Sequence, residues 1–162
     1  MRTWLVLLTV GVLAGCGFHL RGSQPLPYES IYVGAPANSE LGAALRRSIR
    51  ASGGTRIADS PQEAEAVLAV VGENREKVIL TLDTAGRVRE FQLRYRFVFR
   101  VHDGKGTDLL PQTEILLTRD FTFNDSALLA KEQEEALLYA DMQKDLVQQI
   151  VRRLAAAKPL QG

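Results

Sequence analysis

Apolar and polar residues alternate between residues 91 and 101, and this run constrains the fold more than any other part of the sequence. One set of alternate positions is apolar throughout: Phe91, Leu93, Tyr95, Phe97, Phe99 and Val101. The intervening set is mostly polar: Gln92, Arg94, Arg96 and Arg100. A period of two residues is typical of a β-strand with one buried face. We therefore expect a sheet that is covered on one side.

Three further strands are predicted around this one. A short apolar run over 31–33 ends at Gly34, and a longer one over 67–82 has a polar centre, which predicts one long or bent strand. The stretch from 83 to 86 supplies turn residues, which predicts a hairpin into the alternating strand. A fourth strand is expected over about 114–123, where Arg119 interrupts an apolar face.

Two helices complete the pattern. Asn38 or Ser39 can cap the first helix, and Gly53 with Gly54 ends it. Residues 127–157 contain no glycine or proline, and their apolar positions recur every four residues: Leu138, Met142, Leu146, Ile150 and Leu154. The order of elements predicts an α+β fold in which two helices pack on one face of a four-stranded sheet.

The amino terminus carries the features of a bacterial lipoprotein signal. One basic residue, Arg2, precedes an apolar run over 4–13, which is shorter than the ~20 residues that a membrane-spanning helix needs. The tetrad LAGC (13–16) resembles the lipobox, in which the chain is cut before a cysteine that becomes acylated. Cys16 is the only cysteine in the sequence, so it has no disulfide partner within the chain.

This motif predicts a signal peptide over 1–15, a lipidated tether over 16–28 and a single domain over 29–162. Two prolines within 23–28 favour an extended spacer. The alternatives are an ordinary signal peptide followed by a chance cysteine, or a core cysteine in an uncleaved domain. Two or three acyl chains would anchor the protein stably to a membrane.

Composition argues against nucleic-acid binding and against catalysis. Removal of residues 1–15 leaves 19 basic and 19 acidic side chains, so the mature chain has no global positive field. Of the two histidines, His19 lies in the tether and His102 opens a turn, so they suggest no pair of metal ligands. With Cys16 acylated no thiol nucleophile remains, and no catalytic motif or cofactor-binding motif is present. We therefore expect a non-enzymatic protein without metal or cofactor.

Three segments together resemble the LPS-assembly lipoprotein family, LptE. The heptad CGFHLRG (16–22) directly after the cleavage motif is similar to the start of the mature proteins of that family. The segments LTLD (80–83) and EFQLRY (90–95) resemble its central hairpin, and FTFND (121–125) with LAKE (129–132) resembles the entry into its last helix. The resemblance covers the mature chain in order.

The resemblance implies a mixed sheet and an outer-membrane lipoprotein that faces the periplasm. It also implies a one-to-one complex with the β-barrel protein LptD, in which the lipoprotein plugs the barrel, helps it to fold and helps to deliver lipopolysaccharide to the outer leaflet. Gly17 after the acylated cysteine is compatible with outer-membrane sorting, because the usual inner-membrane retention signal at that position is Asp.

Candidate ligands of lipopolysaccharide are basic residues, because the lipid A part of this glycolipid carries phosphates. Residues 75–100 hold three acidic side chains and seven basic ones: Arg75, Lys77, Arg87, Arg89, Arg94, Arg96 and Arg100. Arginine can hold a phosphate through two hydrogen bonds. Arg87 and Arg89 lie closest to the hairpin turn, and Lys131 occupies a position that is basic in the family. Lys131 also conflicts slightly with the helix dipole, which an anion would relieve.

Competing interpretations remain at this point. The arginines of the hairpin can equally be a solvated sheet face paired with Asp and Glu, and Lys131 can be an exposed lysine. The protein can then be a lipid-anchored scaffold for a barrel that never contacts glycolipid. A third hypothesis is a lipid-anchored periplasmic enzyme, against which the missing catalytic set argues.

Overall fold

A computed structural model describes residues 25–157 of the chain. The predicted signal peptide and Cys16 lie outside the described residues. The described chain forms five strands, β1 (Ser30–Val33), β2 (Arg56–Ile57), β3 (Ala66–Leu82), β4 (Val88–Asp103) and β5 (Asp108–Thr122). Its two helices are α1 (Glu40–Ser52), between β1 and β2, and α2 (Leu128–Ala156), after β5. Short 3-10 turns at Pro61–Glu63 and Asp125–Ala127 precede β3 and α2.

The strands form one mixed sheet in the order β2-β1-β3-β4-β5. β1 is parallel to β2 and to β3, whereas β3, β4 and β5 form two consecutive antiparallel hairpins. The predicted α+β fold with two helices is confirmed, but the sheet has five strands where the pattern predicted four. The additional strand, β2, has two residues, Arg56 and Ile57, which pair with Ser30 and Ile31 of β1. A two-residue strand is too short to produce a hydrophobic period, so only its pairing defines it.

The alternating run over 91–101 forms the central part of β4 and supplies the middle of the core. Its apolar face points toward both helices, and five of its side chains are fully buried: Leu93, Tyr95, Phe97, Phe99 and Val101. Each helix packs an apolar face against the same core. These faces consist of Leu41, Leu45 and Ile49 of α1, and of Met142, Leu146, Ile150 and Leu154 of α2. Because both helices lie on this face, the opposite face of β3, β4 and β5 carries the polar positions.

The ends of the elements follow from local chemistry. The Ser39 hydroxyl accepts a hydrogen bond from the Gly42 N–H at 2.9 Å, which caps α1 as predicted. After Ser52 the backbone of Gly53 has φ 76°, a conformation that glycine adopts without strain. β5 begins at Asp108, six residues before the predicted start at 114, because its first residues pair with Val101 and His102 of β4.

The proline-containing segment before β1 is part of the packed fold. Leu26 and Tyr28 are buried in the main core, and the Thr55 hydroxyl donates a hydrogen bond to the Tyr28 carbonyl at 2.9 Å. Where the structure describes the predicted spacer, at residues 25–28, the chain is therefore fixed against the domain.

The long hairpin extends well past the short strands. β3 has 17 residues and β1 has four, and β1 pairs only with the first residues of β3. We use the name distal end for the far end of the molecule. It comprises the β3–β4 turn (residues 83–87), the first two residues of β4 (88–89), the end of β5 at Thr122 with Phe123, and the first turn of α2. All three sequence-predicted basic residues lie there.

Candidate functional site

Asp83 organises the turn that carries Arg87. Its carboxylate accepts hydrogen bonds from the N–H groups of Ala85 at 2.8 Å and Arg87 at 2.9 Å. The Arg87 guanidinium donates to the same carboxylate at 2.9 Å. These bonds lower the pKa of Asp83 below its ordinary value, and the bond from the Arg87 N–H makes the largest contribution. Arg87 is thus held at the turn by one ion pair while 72% of its side chain stays exposed.

Arg89 and Lys131 are joined through the end of β5. The Phe123 N–H donates to the Arg89 carbonyl at 2.8 Å, and Arg89 lines a shallow cavity of about 410 Å³ together with Thr122 and Phe123. The Lys131 ammonium donates to the Thr122 hydroxyl at 3.3 Å. The structure therefore brings Arg89 and Lys131 to the same strand end and leaves Arg87 two residues away on the turn.

The charge of Lys131 is already balanced within the chain. Its ammonium lies 2.7 Å from the Glu134 carboxylate, and only 18% of its side chain is exposed. The expected conflict with the helix dipole is thus offset by Glu134 one turn along α2, without a ligand. A bound anion would have to compete with Glu134. Among residues 25–157, Arg89 has no ion-pair partner, so it is the cation of the three that is most available to an anion.

Exposed aliphatic side chains surround these cations. Five of the large hydrophobic residues that remain open to solvent lie at or near the distal end: Ile79, Leu80, Leu82, Leu128 and Leu129. Leu129 is 76% exposed, which is unusual for a leucine beside a packed core. The distal end therefore combines positive charge with apolar surface. Sequence reasoning missed this feature, although the pair Leu128–Leu129 stands outside the apolar period of the helix and could have indicated it.

Three other basic residues of the hairpin are paired with carboxylates elsewhere. Lys77 pairs with Glu135 of α2 at 2.7 Å, and Arg100 contacts Asp108 at 3.4 Å. Arg96 pairs with Glu114 at 2.7 Å, a hydrogen bond that lowers the pKa of Glu114. For these residues the interpretation as paired cations of a solvated sheet holds. They are therefore weaker candidates for ligand binding than Arg89.

Arg119, which interrupts the apolar face of β5, contacts α2. Its guanidinium donates to the Asp145 carboxylate at 2.5 Å and lies 4.0 Å from Asp141. Together with the Lys77–Glu135 pair, this contact shows that acidic residues of α2 hold the helix to the sheet. Glu135 and Asp145 are therefore ion-paired to the sheet.

Within residues 25–157, no three His, Cys, Asp or Glu side chains are grouped so that they could hold a metal ion. In the same part of the chain neither helix combines the length and the apolar character that crossing a membrane requires.

Solved bacterial lipoproteins share this architecture. The solution structure of uncharacterized lipoprotein B from Nitrosomonas europaea is 44% identical in sequence, with a TM-score of 0.74 over 86% of this chain and 91% of that one. The crystal structure of rare lipoprotein B from Shewanella oneidensis has the same fold, with a TM-score of 0.68 at 23% identity over 78% of this chain and 94% of that one. The fold thus places the chain in the class of α+β domains found in solved bacterial lipoproteins.

Comparison of sequences gives the family. The profile described as "LptE: Lipopolysaccharide-assembly" matches residues 28–154. A curated relative, the LPS-assembly lipoprotein LptE of Yersinia enterocolitica, is 29% identical over 95% of this chain and 77% of its own length. The protein of the same name from Yersinia pestis is 29% identical over 94% of this chain and 74% of its own length. The chain belongs to the LptE lipopolysaccharide-assembly family, which confirms the resemblance stated from its motifs.

Proposed function

We propose that this protein is a non-enzymatic outer-membrane lipoprotein that assembles lipopolysaccharide into the outer leaflet together with the β-barrel protein LptD. Cys16 carries the lipid anchor, and the α+β domain faces the periplasm and lies inside the barrel as a plug that also assists barrel folding. Family membership and the names of the Yersinia relatives support this role. The protein uses no metal or cofactor for it.

The distal end is the proposed binding site for lipopolysaccharide. The observation that carries this assignment is the coincidence of cations with exposed leucines, because lipid A joins phosphates to acyl chains. Arg89 provides a cation that has no ion-pair partner among residues 25–157, and Arg87 and Lys131 lie beside it on the turn and on the helix. A phosphate would gain charge-assisted hydrogen bonds from these groups, while acyl carbons would cover Leu80, Leu82 or Leu129.

One observation favours the scaffold-only alternative. Arg87 and Lys131 are each already paired with a carboxylate of this chain, Asp83 and Glu134. A ligand anion that binds these two residues must therefore displace a carboxylate of the chain, which makes the free energy of binding less favourable. The two hypotheses differ in what charge reversal does to glycolipid binding.

Charge reversal tests the assignment directly. The triple variant Arg87→Glu, Arg89→Glu, Lys131→Glu should bind purified lipopolysaccharide at least about tenfold more weakly, because a charge-assisted hydrogen bond contributes about 1.5–3 kcal/mol. Assembly with the barrel should be retained. The matched control is Arg50→Glu, Arg56→Glu, Arg152→Glu, which makes the same charge change at exposed residues away from the distal end. Unchanged binding by the first variant would favour the scaffold-only alternative.

A further inference from the structure

A groove of about 720 Å³ runs between the two helices, away from the distal end. Its walls are formed by successive turns of α1 and of α2, and Arg75 of β3 closes one side. Small side chains line it where the helices come together, namely Ala44, Ala136 and Ala140. Because these residues are small, the helices leave open space above them that larger side chains would have filled.

Positive charge dominates the groove. Three cations line it, Arg47 from α1, Arg75 from β3 and Lys144 from α2, against a single carboxylate, Glu40. Arg47 and Lys144 are exposed, and neither forms an ion pair with any residue in the range 25–157. Two uncompensated cations on facing helix walls favour an anionic ligand.

Arg75 is fixed in place beside them and lies 3.9 Å from the Glu73 carboxylate, with which a ligand anion would share it. Its guanidinium donates to the Tyr95 hydroxyl at 3.0 Å and to the Gln143 side-chain carbonyl at 2.7 Å. The guanidinium carbon lies 4.5 Å from the centre of the Tyr95 ring and 5.7 Å from that of Tyr139. Little conformational entropy remains to be lost when such a group binds a ligand.

The neutral residues of the groove add hydrogen-bonding groups to the small apolar side chains that line it. Gln143, Gln148 and Ser48 offer amide and hydroxyl groups that can both donate and accept hydrogen bonds. Tyr139 offers an aromatic ring whose hydroxyl is anchored to the Glu76 carbonyl at 2.9 Å. None of the exposed leucines and isoleucines of the distal end lines this groove. Hydroxyl-rich ligands with negative charge match this set.

We propose that the interhelical groove binds an acidic oligosaccharide, with Arg47, Arg75 and Lys144 as its anion contacts. This inference rests on the proposed function and deepens it, because the inner sugars of lipopolysaccharide carry carboxylates and phosphates. Lys131 and Lys144 are 13 residues apart on α2, which corresponds to about 20 Å along the helix. The groove is therefore a second site on α2, separate from the distal end.

Binding measurements with two separated parts of the glycolipid test the proposal. The full chain, purified in detergent, is titrated with a deacylated, phosphorylated core oligosaccharide and separately with lipid A that lacks core sugars. The groove variant Arg47→Glu, Lys144→Glu should bind the oligosaccharide about tenfold or more weakly and should bind lipid A like the unmodified chain. Arg50→Glu, Arg152→Glu is the matched control, with the same charge change on the same two helices outside the groove.

Three outcomes would overturn the inference: no measurable binding of the oligosaccharide to the unmodified chain, equal binding by the groove variant, or an equal loss in the control. Failure of the proposed function would give a different result. In that case the unmodified chain would not bind lipid A, or the triple variant Arg87→Glu, Arg89→Glu, Lys131→Glu would bind lipid A as well as the unmodified chain does. Thermal unfolding of each variant shows whether it remains folded. Arg75 is left unchanged because it also holds Tyr95 and α2.

Discussion

Tyr95 shows how one buried residue connects the sheet to α2. Its hydroxyl donates to the Glu73 carboxylate at 2.6 Å and accepts from the Arg75 guanidinium at 3.0 Å. Burial is the main cause that raises the pKa of Tyr95 to about 12, and the hydrogen bond to Glu73 adds to it. Arg75 then reaches Gln143 of α2, so this network supports both the core and the interhelical groove.

The raised pKa of Tyr95 predicts a loss of stability in alkali. Between about pH 10 and about pH 12 an unfolded chain releases this phenolic proton while the folded chain retains it, so the free energy of unfolding falls as pH rises. Tyr95→Phe should remove this contribution, and it should cost about 1 kcal/mol at neutral pH through the lost hydrogen bonds. Denaturant unfolding of both proteins at neutral and alkaline pH measures the difference. Equal pH dependence of the two proteins would contradict the assignment.

At the candidate site, the sequence could locate the cations but not their partners. The turn residues after Leu82 and the start of α2 place Arg87, Arg89 and Lys131 near the same end of a hairpin-and-helix fold. Whether each cation is free depends on side-chain distances of a few ångströms, such as the 2.7 Å between Lys131 and Glu134. A pattern of residue types does not contain these distances. Arg47 and Lys144 come from helices about 100 positions apart, so only the fold reveals that they share a groove.

The element α2 is divided into two parts with different roles. Its carboxyl-terminal half is buried in the core, with Met142, Leu146, Ile150 and Leu154 fully covered. Its amino-terminal half is held to the hairpin through polar contacts such as Lys77–Glu135 and leaves Leu137 71% exposed. The first part therefore stabilises the domain, and the second part positions Lys131 at the distal end.

A pair of leucine substitutions tests this division. Leu146→Ala should lower the free energy of unfolding by about 2–5 kcal/mol, because it removes buried carbon and leaves a cavity. Leu137→Ala should change it by less than about 0.5 kcal/mol, because its side chain is already exposed. Denaturant unfolding followed by circular dichroism measures both values. Similar losses in the two variants would show that the amino-terminal half of α2 is packed as firmly as the rest.

Elements with a clear period were predictable, and elements defined only by pairing were not. The alternation over 91–101 and the four-residue period of α2 are direct consequences of which side chains are buried. β2 and the first residues of β5 have no such period. Backbone pairing defines them as strands, with β1 in the case of β2 and with β4 in the case of β5. The mixed character of the sheet came from family resemblance, since no feature of a short apolar run fixes the direction of its neighbour.

At the scale of the whole molecule, the account requires attachment to a membrane. The purified mature chain should begin at Cys16 and should carry a diacylglyceryl group and an amino-terminal acyl chain. Intact-mass and peptide mass spectrometry measure both features, and Cys16→Ser should lose the lipid and the membrane association together. An unmodified sulfur on Cys16, or a product that still begins with Met1, would contradict the proposed anchor.

Co-purification with a β-barrel tests the central claim, that this lipoprotein works as the plug of a barrel in lipopolysaccharide assembly. The full lipidated chain is expressed in its own organism with an affinity tag, extracted in detergent and isolated, and the proteins that accompany it are identified and quantified. We expect one outer-membrane barrel at one copy per lipoprotein. Recovery of soluble partners alone would contradict it.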